Sequence, residues 1–249
     1  MPIKKVVVSA AGNGTRMLEL SKDKPKHLIE IENKPFLAYL LDNILAAGYR
    51  EIILVVGYKQ EAMKEFVEKY TLQHPCKIEM VSQFEMLGPK EMGDYGTACP
   101  LKCVRELVGN EPFISLVGDN MYSAADLRAM DVDDNYCYVA GLQNDHPEKF
   151  GVLLTDGPSF AKASEGDYFL REIIEKPKEF VGDLINTSLY KFTPEVFEKL
   201  PLIEKSPRGE YEITDALLEL SKNEKVRFGS VAVEFIDMQK ASLTYRLSR

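Results

Sequence analysis

Lys5-Val6-Val7-Val8-Ser9-Ala10-Ala11-Gly12-Asn13-Gly14-Thr15-Arg16 is the stretch whose reading decides the fold. Its first half is a continuous apolar run, the pattern of a buried strand. Its second half is a glycine-rich turn. Two glycines let the backbone bend sharply and bring N–H groups close to a phosphate chain, and Arg16 adds a planar cation matched to phosphate oxygens. The loop lacks the Gly-Lys-Ser/Thr of a Walker loop and the full dinucleotide fingerprint. On its own it reads equally well as a plain tight turn.

Outward from this strand the pattern repeats. Pro35 to Gly48 carries Leu37, Leu40, Leu41, Ile44 and Leu45 at helical spacing, closed by Gly48. Glu51 to Val56 is a second β-branched run, and Lys59 to Tyr70 is a second helix through Met63, Phe66, Val67 and Tyr70. Ile78 and Met80 mark a third strand, Leu101, Val104 and Val108 one further helix, and Phe113 to Val117 a fourth strand. Strands separated by single helices imply βαβ units. Beyond them come short strands over Tyr136–Leu142, Gly151–Thr155, Tyr168–Ile174, Leu184–Phe192 and Val226–Phe235, with a helix over Ile213–Leu220. Thr193-Pro194 reads as an N-cap followed by proline at the first helical position. The expectation is an α/β fold with a Rossmann-like, mixed but mostly parallel central sheet flanked by helices. It forms a single domain over 1–249, with a nucleotide half over about 1–130, an acceptor half over about 131–237 and a C-terminal segment over 238–249.

The chain has 249 residues, 45% of them hydrophobic and 28% charged, enough for a sizeable core. No run approaches the roughly 18 apolar residues of a membrane helix, and the N-terminal apolar run is too short for a secretory signal. These features, with no membrane partner, place the protein in the cytoplasm. A net charge of -8 argues against a general nucleic-acid binder, which needs a basic face to displace counterions. Small anionic substrates need only a few local cations. Cys76, Cys99, Cys103 and Cys137 contain no CxxC pair and read as reduced thiols rather than a zinc site.

Gly12-x-Gly14-Thr15-Arg16-Met17 followed by Pro25-Lys26-x-Leu28 resembles the signature of the sugar-nucleotide nucleotidylyltransferases, which include the glucose-1-phosphate thymidylyl- and uridylyltransferases. The resemblance implies a loop, Ala11, Gly12, Gly14 and Thr15 included, that wraps a triphosphate, and catalytic roles for Arg16 and Lys26 as neutralising cations. It implies base reading by Gln83 and nucleotide contacts from Gly96 and Thr97, with a longer than usual stretch from Gly88 to Tyr95 between them. It implies Asp119 and Asp237 as ligands of Mg2+. On the acceptor side Phe150-Gly151-Val152, Glu175-Lys176-Pro177 and Asn186-x-x-x-Tyr190 imply a sugar-phosphate site of Gly151, Glu175, Lys176, Asn186 and Tyr190. Ser206 to Glu212 also has the family look. Glu19, Ser188 and Gln239 stand where the family usually has proline, glycine and glycine. No hexapeptide repeat follows, so no β-helix domain is expected.

The chemistry this implies needs no catalytic base. A sugar phosphate has a second pKa near ~6, so its attacking oxygen is already largely ionised at neutral pH. In-line placement and charge neutralisation suffice. The expected reaction joins a nucleoside triphosphate, dTTP or UTP favoured, to a sugar 1-phosphate, glucose 1-phosphate favoured. Open alternatives are a cytidylyltransferase acting on another phosphorylated acceptor and a catalytically silent relative that binds a nucleotide sugar. A homo-oligomer also stays open.

Overall fold

Val6, Val7 and Val8 of strand β1 (Lys5–Ala10) are all fully buried. Successive side chains of a strand point to opposite faces, so a run of three valines requires cover on both. Val6 and Val8 pack with Leu37, Leu40, Leu41 and Ile44 on one face, while Val7 packs with Leu101, Val104, Val108 and Phe113 on the other. The computed structural model that shows this describes residues 2–12, 25–57, 59–88, 94–156, 168–223, 225–230 and 236–237.

A hairpin of β2 (Glu30–Ile31) and β3 (Lys34–Pro35) leads into α1 (Phe36–Ala46), β4 (Glu51–Val56), α2 (Gln60–Gln73) and β5 (Lys77–Ser82). Then come α3 (Gln83–Leu87), α4 (Cys99–Lys102), α5 (Arg105–Val108), β6 (Phe113–Val117), β7 (Asn120–Met121) and α6 (Ala124–Ala129). The second half contributes β8 (Cys137–Gln143), β9 (Gly151–Thr155), β10 (Leu170–Glu175) and β11 (Leu184–Phe192). It continues with α7 (Val196–Lys199), α8 (Ile213–Ser221), β12 (Val226–Ser230) and β13 (Ile236–Asp237). The main sheet runs β10-β9-β11-β6-β1-β4-β5, with β8 pairing both β11 and β12. Its part β6-β1-β4-β5 is parallel throughout, and β11 joins β6, β8 and β9 antiparallel.

Two features of this sheet create a site. The chain passes from β1 outward to β4 and β5, then returns to place β6 on the other side of β1, so strand order reverses between β1 and β6. Ligands of open α/β sheets lodge at the carboxyl ends of strands at such a reversal. Beside it, β11 changes partner. Leu189–Phe192 pair with β6, whereas Ile185 pairs with Val152 of β9, and the β11–β8 register shifts between Asn186 and Tyr190. Ser188 lies in that irregularity at φ 60°. A strand irregularity of this kind bends the strand and opens a crevice, here between the end of β6 and the start of β9.

Two local readings of the sequence need correction. The helix marked by Leu101, Val104 and Val108 is broken into α4 and α5. The Cys103 and Val104 amides donate to Pro100 and Leu101 three residues back, a tighter turn that buries Cys103 and Val104 together. Thr193 is no N-cap. The Val196 amide donates to the Thr193 main-chain carbonyl, the helix begins after Glu195, and the Thr193 hydroxyl lies 3.5 Å from Cys137 Sγ in the core. The strand read over Val226–Phe235 is present over Val226–Ser230, its remainder lying outside the described residues, and β13 pairs with β7.

Candidate active site

Ala11 and Gly12 leave β1 at its carboxyl end. Gly57, just past β4, must be glycine because a Cβ there would sit 2.5 Å from the Ala11 carbonyl oxygen. The turn after β1 is therefore pressed against its neighbour, a constraint the sequence reading missed. Lys26, opening a short 3-10 turn over Lys26–Leu28, swings back so that its Cε and Nζ come within 3.7 Å of a Cβ built on Gly12. Its ammonium is hydrogen-bonded to the Asp119 carboxylate, which follows β6 after Gly118. Gly12, Lys26 and Asp119 thus meet at the reversal point. Gly14, Thr15 and Arg16 lie outside the described residues, as do Glu19, Gln239 and the stretch from Pro89 to Gly93.

The electrostatics of this corner are settled by burial and by Lys26. Burial pushes the Asp119 carboxyl up, but the charge and hydrogen bond of Lys26, the nearby His27 and a backbone hydrogen bond together hold the group below the usual carboxylate range. His27 is buried beneath Gly118, with Cδ2 3.1 Å from where a Cβ there would lie. Burial first, and then Lys26, pushes it down to about 3, so it is neutral at pH 7. A neutral imidazole adds no charge to a phosphate site and serves as packing.

Asn120 and Tyr122 tie this corner to the acceptor side. Tyr122 Oη donates to the Thr187 carbonyl at 2.8 Å, and Asn120 Nδ2 donates to the same oxygen at 3.3 Å. Both grip the irregular turn of β11. Ser188 takes the left-handed backbone that glycine adopts most easily, and its N–H donates to Asn186 Oδ1 at 2.9 Å. The Asn186 amide donates to Tyr190 Oη at 3.0 Å. Tyr190 is only 1% exposed, so it is a support under Asn186 rather than a group facing the pocket. Across from Asn186 a Cβ on Gly151 would lie 2.9 Å from Glu175 Oε2 and 3.9 Å from Asn186 Cβ. Gly151, Glu175 and Asn186 therefore form one cradle. Lys176 follows at φ 47°, with Nζ 3.8 Å from Glu175 Oε1 and half its side chain in solvent. Left-handed backbone in a non-glycine residue costs of order 1 kcal/mol and clusters at ligand sites.

Gln83, the residue expected to read the base, is the first residue of α3 and is 2% exposed. Its Oε1 is buried with no partner among the described residues. Gly96 and Thr97 have different surroundings. A Cβ on Gly96 would strike the Tyr211 carbonyl at 2.2 Å, and the Thr97 hydroxyl donates to Glu212 and accepts from the Ile213 amide. These two positions join the halves, a role the sequence reading did not assign.

For a divalent cation, Asp119 offers a hard oxygen ligand at a strand's carboxyl end. The Lys26 ammonium marks where positive charge sits on it. The backbone of Asp237 pairs with Asn120 through the β13–β7 ladder, which brings it beside Asp119. Among the described residues no group of three or more His, Cys, Asp or Glu side chains could hold a metal. An ion here would complete its shell with substrate oxygens or water, as Mg2+ commonly does.

Fold and site together define an α/β protein with a Lys26–Asp119 ion pair at a sheet reversal and a polar cradle around Gly151. The chain belongs to the nucleotidyl transferase family, which it matches over residues 5–235. It is 32% identical over 218 residues to the UTP–glucose-1-phosphate uridylyltransferase AglF of Haloferax volcanii, covering 85% of this chain and 81% of that one. It is also 32% identical over 203 residues to a mannose-1-phosphate guanyltransferase of Eremothecium gossypii, covering 80% of this chain and 52% of that one. Among solved structures, UDP-glucose pyrophosphorylase complexed with UDP-glucose superposes with a TM-score of 0.80 at 24% identity, over 99% of this chain and 100% of that one. No helix among the described residues is long and apolar enough to cross a membrane.

Proposed function

We propose that this protein transfers a nucleotidyl group from UTP to glucose 1-phosphate, releasing pyrophosphate and forming UDP-glucose. The observation that carries this reading is the meeting of Gly12, Lys26 and Asp119 at the ends of β1 and β6, directly beside the Gly151–Glu175–Asn186 cradle. One corner suits a triphosphate and the other a polyhydroxylated acceptor. The similarity to a relative named for UTP and glucose 1-phosphate, over 85% of this chain, supports UTP ahead of dTTP. A reducing cytoplasmic setting accords with four free thiols.

In this reading a phosphate oxygen of the sugar phosphate attacks the α-phosphorus, and the bond from that phosphorus to the bridging oxygen of the departing pyrophosphate breaks. The attacking oxygen is ionised beforehand, so no residue has to take a proton from it. Lys26 leaves Asp119 to neutralise phosphate oxygens, and Arg16 joins it from the loop. Asp119 and Asp237 would hold a magnesium ion, whose chemistry is to bridge phosphate oxygens and stabilise their developing charge. Glu175 accepts hydrogen bonds from sugar hydroxyls, Asn186 orients them, and Lys176 pairs with the sugar phosphate. Placement of reactants and charge stabilisation together account for barrier reductions of this kind.

Gln83 supports a uracil-type base. Its Oε1 has no partner among the described residues, and an unsatisfied buried acceptor costs about 1–3 kcal/mol. The N3–H of uracil supplies a donor, whereas cytosine has only an acceptor at N3. The test is kcat/KM for UTP, dTTP, CTP and GTP in wild type and in Gln83→Ala. Wild type should prefer UTP and the variant should lose much of the margin. A clear CTP or GTP preference in wild type would rule the base assignment out.

A further inference from the structure

Glu212 is a carboxylate that the reaction does not use, yet it is only 8% exposed and makes three side-chain hydrogen bonds. Its Oε2 accepts from the Thr97 hydroxyl at 3.0 Å, and its Oε1 accepts from Ser206 Oγ at 3.1 Å and from Arg208 Nη2 at 2.8 Å. Buried carboxylates are costly unless fully partnered, and this one is partnered from two sides of the molecule. Thr97 belongs to the turn that leads into α4, on the nucleotide side. Ser206 and Arg208 belong to the segment before α8, on the acceptor side.

We infer that Glu212 is a positioning residue that sets the nucleotide and acceptor sides of the active site in register. The inference rests on the reaction proposed above and adds a residue to it. The backbone around Glu212 is stitched in the same way. The Tyr211 amide donates to the Tyr95 carbonyl at 2.8 Å, and the Ala98 amide donates to the Tyr211 carbonyl at 2.9 Å. Gly96 lies so close to Tyr211 that no side chain fits between them. The Tyr211 ring is covered by the Lys102 ammonium, 3.6 Å from its centroid. The nucleotide-side turn can therefore move only if the segment through Glu212 moves with it.

Arg208 is the acceptor-side end of this link. Its guanidinium is half exposed and held by Glu212. Burial pulls Arg208 down, but its hydrogen bond and ion pair with Glu212, and then the charges of Glu210 and Glu175, hold it up. Released from Glu212, Arg208 would unfasten the segment before α8 from the carboxylate that Thr97 holds.

The variants Glu212→Gln, Thr97→Val, Thr97→Ser, Arg208→Lys and the double change Glu212→Gln/Thr97→Val test this, with kcat, both KM values and Tm measured for each. A glutamine keeps an acceptor for Thr97 but presents an amide to Arg208. Glu212→Gln should therefore raise KM for glucose 1-phosphate about tenfold to a hundredfold, the loss of one charge-assisted contact, and raise KM for UTP much less. Thr97→Val should show the opposite split, and Thr97→Ser should restore it. The double variant should fall short of the product of the single effects, because the two residues act as a unit. Arg208→Lys retains the charge without the planar fork and should reproduce part of the sugar-phosphate effect in a folded protein, even if Glu212→Gln folds poorly. A folded Glu212→Gln with both KM values unchanged or equally raised would overturn the inference. So would a Thr97→Ser no better than Thr97→Val. Wild type that transfers no nucleotide to any sugar phosphate would instead overturn the reaction itself.

Discussion

Gly151→Ala separates stability from binding at the acceptor cradle. The added methyl would sit 2.9 Å from Glu175 Oε2 and 3.4 Å from Ile173 Cγ2, with Asn186 Cβ in ordinary contact at 3.9 Å. Ordinary contact begins near 3.4 Å, so only the Glu175 carboxylate must retreat, by about half an ångström. That oxygen ends a flexible side chain that is 52% exposed. The fold can therefore accommodate the methyl, and replacing a strand glycine recovers up to about 1 kcal/mol of backbone entropy. Tm should stay within a few degrees of wild type or rise. Binding should respond differently, since the methyl fills the floor of the cradle and displaces the carboxylate that accepts from the sugar. Losing a hydrogen bond to a charged group costs about 1.5–3 kcal/mol, or a ten- to hundredfold rise in KM for glucose 1-phosphate. Steady-state kinetics with each substrate varied in turn, beside a thermal melt, measures both. An unchanged sugar-phosphate KM, or an equal rise in the KM for UTP, would refute the placement of the cradle.

Two further outcomes follow from single positions. Asp119→Asn keeps the shape of the side chain but removes the anionic ligand and the charge partner of Lys26; turnover should fall by orders of magnitude with the circular dichroism spectrum intact, and wild-type turnover would remove Asp119 from the mechanism. Ser188→Gly relieves a left-handed serine at φ 60°, a strain of order 1 kcal/mol, and should raise Tm by about 2–4 °C for a chain of this size; a fall in Tm would mean that the serine side chain contributes more than its backbone costs.

Much of the architecture was legible because it rests on local pattern. The strands Glu51–Val56, Phe113–Val117, Gly151–Thr155 and Leu184–Phe192 have the limits that their apolar runs suggest. The elements that escaped depend on distant partners. Two-residue strands such as β7 and β13 exist only because Asn120 meets Asp237 across more than a hundred residues of chain, and no periodicity announces a pair that short. The hairpin β2–β3 turns through Glu32 and Asn33 at φ 50° and 66°, where a glycine would have signalled the turn and this sequence has none. Among the candidate site residues, Lys26 and Asp119 carried recognisable signals and meet in one hydrogen bond, and Gly151, Glu175 and Asn186 carried them and lie together. Glu212 carried only the family look of the stretch Ser206 to Glu212, with no role of its own until Thr97 is seen bonded to it. Gly57 carried no signal, since its need for a bare Cα comes from the Ala11 carbonyl on the neighbouring strand.

The most direct test of the reaction is pyrophosphate release by the purified protein with UTP and magnesium, with and without glucose 1-phosphate, alongside chromatographic detection of UDP-glucose. The triphosphate corner and the acceptor cradle predict pyrophosphate and UDP-glucose in equal amounts, and only when both substrates are present. Pyrophosphate released without the sugar phosphate, or no UDP-glucose when both are supplied, would contradict the account.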